Sequence, residues 1–127
     1  MLALKNVNHV AIICSDYGRS LEFYTRVLGC TLISEEFRDG GRSVLSRLAL
    51  NGHYTIELFC FPDYVARPSY PEALGLRHLA FSVDSLERAV EELDGLGVEH
   101  EAIRDLPTMR LLFFADPDGL PIELVEA

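Results

Sequence analysis

Two histidines and two glutamates recur at matching places along this chain. His9 opens His9-Val10-Ala11-Ile12 and His78 opens His78-Leu79-Ala80-Phe81, while Ile56-Glu57-Leu58 returns letter for letter as Ile122-Glu123-Leu124. A carboxylate held between Ile and Leu is costly to bury unless it is hydrated, paired or coordinated. A lone strand histidine is commonly just a hydrogen-bonded side chain, and a lone strand glutamate often lies on a solvated face. Repetition in register is what gives these four a chemical meaning. Two imidazoles and two carboxylates from related halves can converge on one divalent cation, the two Glu charges neutralising it while positions stay open for water or substrate. Nitrogen and oxygen donors without thiolate suit Zn, Ni, Co, Mn or Fe. The expected cofactor is therefore one divalent metal ion, with His9, Glu57, His78 and Glu123 as its ligands. A carbonyl drawn onto such an ion is polarised and its α-proton made acidic. Either Glu57 or Glu123 is then placed to take that proton, with the metal steadying the enediolate.

The elements that must position these residues repeat as well. Ser15 and Asp16 open a short amphipathic stretch with apolar positions at Leu21, Tyr24, Val27 and Leu28, closed by Gly29. In the second copy Asp84 and Glu87 have capping-box spacing, Leu86, Ala89, Val90 and Leu93 form the stripe, and Gly97 ends it. Three strand-like runs follow each helix: 31–37, 43–50 and 54–60, then 98–103, 110–114 and 120–125. Asn51-Gly52 and Asp118-Gly119 stand where hairpins must turn. The pairs His9 and His78, Gly29 and Gly97, and Glu57 and Glu123 lie 69, 68 and 66 positions apart, so the copies differ only by small loop edits.

Each half thus reads as strand, helix and three strands. The predicted class is α+β: two βαβββ modules, each a sheet with one face covered by a helix and the other needing a partner or a ligand. Module 1 covers 5–61, a linker rich in Pro and Gly covers 62–76, and module 2 covers 77–127 of a single domain. Alternation along a strand assigns faces. Val10, Ile12, Cys14, Ile56, Leu58 and Cys60 share a greasy side, as do Leu79, Phe81, Val83, Ile122 and Leu124. The opposite, concave side then receives His9, Glu57, His78 and Glu123. Phe59, on the Glu57 side, is an apolar candidate for a substrate wall. Arg47 and Arg77 are candidates to meet a substrate carboxylate or phosphate, as are Arg67 and Arg110. His53 and His100 have no counterpart in the other copy and are expected on the surface.

The whole chain narrows the field. Its 127 residues are 49% hydrophobic and 24% charged, which fits a globular domain able to bury roughly two-thirds of its unfolded surface. Eleven Lys and Arg against twenty Asp and Glu give a formal charge of −9, the wrong sign for nucleic acid. Cys14, Cys30 and Cys60 lie in apolar stretches without metal-ribbon or redox spacing, and read as reduced core thiols. No apolar run approaches the ~18 residues of a membrane span, and Met1 to Asn6 do not read as a leader. A cytoplasmic protein without a membrane partner is expected.

The residues resemble the vicinal oxygen chelate superfamily, the group of glyoxalase I, bleomycin- and fosfomycin-resistance proteins, extradiol dioxygenases and methylmalonyl-CoA epimerase. The resemblance rests on Asn8-His9-Val10-Ala11, on Phe23-Tyr24 through Leu28-Gly29, on Arg77-His78-Leu79-Ala80-Phe81, and on Asp116-Pro117-Asp118-Gly119 leading into Ile122-Glu123-Leu124. It spans nearly the whole chain and is narrowest toward small bacterial glyoxalase-I-like proteins. It implies that the two paired βαβββ modules form an open, curved eight-stranded mixed sheet, a cup around one metal with helices on the convex face, with the His, Glu, His, Glu ligand order at His9, Glu57, His78 and Glu123, the base role at Glu123, and a homodimer. It also implies a lyase or isomerase acting on a small α-hydroxy-carbonyl or other vicinal-oxygen substrate. Ile13 and Phe61 stand where bacterial glyoxalase I holds glutathione with Arg and Asn, which weighs against glutathione here. The competing readings are an Fe(II) dioxygenase, which keeps three protein ligands where this chain has Glu57 as a fourth, and a non-catalytic metal- or drug-binding protein. The modules pair within one chain or exchange across a dimer with the same ligand set.

Overall fold

The computed structural model describes residues 1–127, and the chain divides into two compact units, 1–65 and 66–127. The boundary falls inside the Pro-rich linker, so most of that segment belongs with the second unit. Residues 61–78 contain no strand or helix.

In the first unit, strand β1 (Val10–Cys14) leads into helix α1 (Tyr17–Glu22), then β2 (Thr31–Arg38), β3 (Ser43–Leu50) and β4 (His53–Cys60). The sheet order is β1-β4-β3-β2, with β1 parallel to β4 and the other pairs antiparallel. Asp16 caps α1, its carboxylate accepting the Arg19 N–H at 3.1 Å. After Glu22 the helix widens into a π-helical turn, Phe23–Val27, which seats Phe23 and the fully buried Tyr24 before Gly29 reverses the chain at φ 78°. Asn51 and Gly52 both take positive φ, 51° and 80°, the type I′ geometry that matches the twist of the strands they join.

The second unit repeats the plan. It comprises β5 (Leu79–Val83), α2 (Leu86–Gly95), β6 (Arg104–Asp105), β7 (Arg110–Ala115) and β8 (Pro121–Glu126), in sheet order β5-β8-β7-β6 with β5 parallel to β8. The α2 cap is Ser85, whose hydroxyl accepts the Arg88 N–H at 3.2 Å, one residue later than the expected Asp84. Glu126 on β8 accepts the Leu86 N–H at 2.9 Å, so the strand itself supplies a second cap. The strand expected over 98–103 shrinks to β6 and a single His100–Phe114 bridge. The turn before β8 differs from Asn51-Gly52. Asp116 accepts the Asp118 and Leu120 N–H groups, both at 2.9 Å, while Gly119 N–H bonds the Asp116 carbonyl at 3.0 Å with φ 86°. That is a three-residue loop with its glycine in the left-handed region.

Alternation predicts the cores correctly. Ile12, Cys14, Ile56 and Leu58 are buried in the first unit, and Leu112, Ile122 and Leu124 with Leu86 and Leu93 of α2 in the second. Helix α2 packs on β7 and β8, and α1 on β4, so each four-stranded sheet has its helix on the greasy face. All three cysteines are free thiols; Cys14 and Cys30 are buried and Cys60 half-buried. No helix is long and apolar enough to cross a membrane.

Candidate metal and substrate site

Each unit places one predicted histidine against one predicted glutamate. His9 and His78 lie just before β1 and β5, and the parallel pairings set Ala11 beside Glu57 and Ala80 beside Glu123. Two residues before each alanine, on the same face, the imidazole meets the carboxylate: His9 Nε2 to Glu57 Oε2 is 3.6 Å and His78 Nε2 to Glu123 Oε2 is 2.9 Å. The glutamate side chains are 15% and 10% exposed, the histidines 34% and 26%, so all four remain reachable from the uncovered face of their own sheet. The four predicted ligands are thus brought together two by two, and no group of three or more His, Cys, Asp or Glu side chains is gathered as a metal cage. Two ligand atoms each about 2.1 Å from one ion, at octahedral or tetrahedral angles, stand roughly 3.0–3.4 Å apart. The pair separations of 3.6 and 2.9 Å bracket that range closely, so each pair suits two adjacent positions of a divalent ion.

The two pairs have unlike surroundings. Glu57 accepts a short hydrogen bond from the Tyr54 hydroxyl, and Arg47, paired across from it on β3, brings its Nε to 3.8 Å. His9 stacks on the Tyr54 ring with centroids 5.0 Å apart. Desolvation and the Glu57 carboxylate both hold the Tyr54 phenol above its ordinary pKa, so it stays a donor. Across from Glu123 the position of Arg47 is taken by Phe113 on β7, and in the sequence the position of Tyr54 is taken by Leu120. Phe113 meets His78 edge-on at 5.2 Å.

Tyr54 and Phe113 are site neighbours that sequence reasoning missed. Tyr54 is three positions from Glu57, which by strict alternation puts it on the other face. A register shift between Leu48 and Ala49 leaves an extra β4 residue there, and the bulge turns Tyr54 back toward Glu57. Phe113 was legible only by counting back from the β7–β8 turn to find what opposes Glu123.

The remaining candidates divide. Arg47 is near Glu57 but bonds Glu36 at 2.9 Å. Arg77 pairs with Glu72 at 3.2 Å and lies 3.2 Å from His78 Nδ1. Phe59 is half-buried and stacks on Phe61, centroids 5.3 Å apart. Arg110 is a structural hub, bonding Glu87, Asp105 and Glu126, which together keep its guanidinium firmly protonated and tie α2 to the sheet. His53 is exposed as expected. His100 is not a surface residue: its side chain is 15% exposed, Nε2 sits 2.8 Å from Asp94 and Nδ1 2.9 Å from the Glu101 carbonyl.

The paired βαβββ units and their repeated His–Glu contacts define a class. Residues 6–124 match the family model of the glyoxalase, bleomycin-resistance protein and dioxygenase superfamily, and the chain belongs to that family. It is 55% identical to the uncharacterized protein YaeR of Escherichia coli, over 99% of both chains. It is 30% identical to a lactoylglutathione lyase of Pseudomonas aeruginosa, over 94% of this chain and 81% of that one. A solved glyoxalase family protein from Enterococcus faecalis superposes with a TM-score of 0.88 at 41% identity, covering 98% of this chain and all of that one.

Proposed function

We propose that this protein is a metal-dependent, glyoxalase-I-like lyase or isomerase acting on a small α-hydroxy-carbonyl substrate. The observation that carries the reading is the duplicate His–Glu contact, His9 with Glu57 and His78 with Glu123. The two pairs, from one chain or from two copies exchanging units, would hold one divalent ion. Bound there, the ion would supply a Lewis acid that polarises a carbonyl and offsets negative charge as the α-proton leaves. The family resemblance to lactoylglutathione lyase supports that chemistry, while Ile13 and Phe61 point to a substrate other than a glutathione adduct.

The protein's own residues divide the labour. Tyr54 donates to the Glu57 carboxylate and Arg47 lies 3.8 Å from the same oxygen, which suits a stationary ligand. Glu123 has His78 as its polar partner, 2.9 Å away, and Phe113 as its cross-strand neighbour, with no arginine or tyrosine holding it. It is the carboxylate able to turn away, take the α-proton at an oxygen and return it to the neighbouring carbon. Phe113 limits water around that transfer. Three free thiols suit a reducing cytoplasm, and a homodimer follows from the resemblance.

Elemental analysis of protein purified without chelator, in wild type, Glu57→Ala and Glu123→Ala, tests the proposal. One divalent ion per four ligands is expected in wild type and little in Glu57→Ala. Glu123→Gln should retain metal but lose turnover on hydroxy-carbonyl compounds. Wild-type protein that takes up no Ni, Zn, Co, Mn or Fe refutes it.

A further inference from the structure

The second unit contains a pocket of about 600 Å³ between the linker and the edge of its sheet, lined among others by Arg67, Arg77, Arg104, His100 and Phe113. Its charges are mostly spoken for. Arg77 pairs with Glu72 at 3.2 Å and Arg104 with Glu101 at 2.5 Å, Arg104 also lying over the Phe113 ring at 5.7 Å. Arg67 differs. Its Nη2 donates to the carbonyls of Leu76, at 3.3 Å, and Arg77, at 2.7 Å, and no carboxylate pairs with it. Its Nε–H is buried without any acceptor. The carbonyls aim the guanidinium but leave its charge uncompensated, and a buried donor on a cation is among the least tolerable groups to leave unmade.

We propose that this pocket binds a monocarboxylate, with Arg67 as the anion anchor. A guanidinium fork matches the two oxygens of a carboxylate. Three arginines and three glutamates, Glu72, Glu99 and Glu101, line the space, so its formal balance is zero and a single negative charge is better matched than a doubly charged phosphate. The site is continuous with the candidate ligands. Arg67 grips the backbone carbonyl of the residue before His78, and Phe113, the apolar wall, touches His78 itself. The inference deepens the proposed function by making the substrate a hydroxy-carbonyl compound that carries a carboxylate, its apolar part lying along Phe113. It rests on that reading for the chemistry but not for binding.

Titration of chelator-treated full-length protein with mandelate, neutral mandelamide and inorganic phosphate, followed by calorimetry and by the Arg67 Nε–H resonance, separates the two. Wild type should bind mandelate about tenfold or more tighter than mandelamide or phosphate, with the Nε–H resonance moving on saturation. Arg67→Gln should bind the two organic ligands equally. Arg67→Lys, which keeps the charge and serves if the Gln variant is unfolded, should retain only part of the preference, and Arg26→Gln, an exposed arginine of the first unit, should keep it. Equal binding of mandelate and mandelamide by wild type, tighter phosphate binding, an unmoved Nε–H resonance, or full preference in Arg67→Lys overturns the proposal. Because metal is absent throughout, a protein that takes up no metal leaves this result standing, and a failure here leaves the metal site standing.

Discussion

At the scale of residues, the two halves have kept the same His–Glu pair and changed what surrounds it. Glu57 faces Arg47 and Tyr54, whereas Glu123 faces Phe113 and has only Leu120 at the sequence position equivalent to Tyr54. Removing an outer partner of a metal ligand ordinarily costs ten- to a hundredfold in metal affinity. Tyr54→Phe should therefore weaken divalent-ion binding by about 10-fold or more in a chelator competition, whereas Leu120→Ala should leave it near wild type. Equal affinity in Tyr54→Phe and wild type would show that the phenol does not hold Glu57 for the ion. The four candidate ligands were legible because they repeat. Tyr54 was not, because a bulge overturns the alternation on which face assignment depends, and Arg67 could not be told from a solvated arginine until its carbonyl partners were seen.

Elements follow local rules with a few tertiary exceptions. The helices, both hairpins and seven of the eight strands are read within a residue or two from alternation, caps and turn glycines. The strand expected over 98–103 failed because its apolar residues, Val98 and Ile103, pack without a regular ladder, and His100 makes the one bridge to β7. His100 also closes the end of α2 onto that segment through Asp94 and the Glu101 carbonyl, contacts that raise its pKa. A raised folded value means that this contribution is complete below the ordinary histidine range and is lost as pH rises through the folded pKa. Wild type should lose melting temperature relative to His100→Gln as pH rises above the ordinary histidine pKa, whereas the His100→Gln curve should run flatter there. Parallel curves would rule out the linkage. The β3–β4 hairpin has its own test: Gly52 has open space around it but φ 80°, so Gly52→Ala should cost about 1–2 kcal/mol in urea unfolding from backbone strain alone.

For the molecule as a whole, duplication explains why so short a chain carries two complete sheets, each with its own helix and core. The repeat was visible in the sequence; the assignment of most of the linker to the second unit was not, nor was Arg67 bonding the carbonyls of residues 76 and 77 within it. If one ion joins the pairs from both units, metal stabilises the folded protein by mass action, about 2.7 kcal/mol at a hundredfold excess over the dissociation constant. Thermal melts should then rise together for both units on adding Ni or Zn, and fall back with chelator. A rise confined to one unit, followed by tryptophan placed separately in each, would mean that a single His–Glu pair binds alone.

In each unit the first strand pairs with the last, β1 with β4 and β5 with β8, and both pairings are parallel. During synthesis, then, His9 waits for some fifty residues before Glu57 exists to meet it, and the second pair forms only once β8 has emerged. The first unit can be closed and holding its histidine in place while the ribosome is still making the strand that carries Glu123. Long-range closures of this kind are slow relative to helix formation, so the meeting of His78 with Glu123 is the closing event of folding.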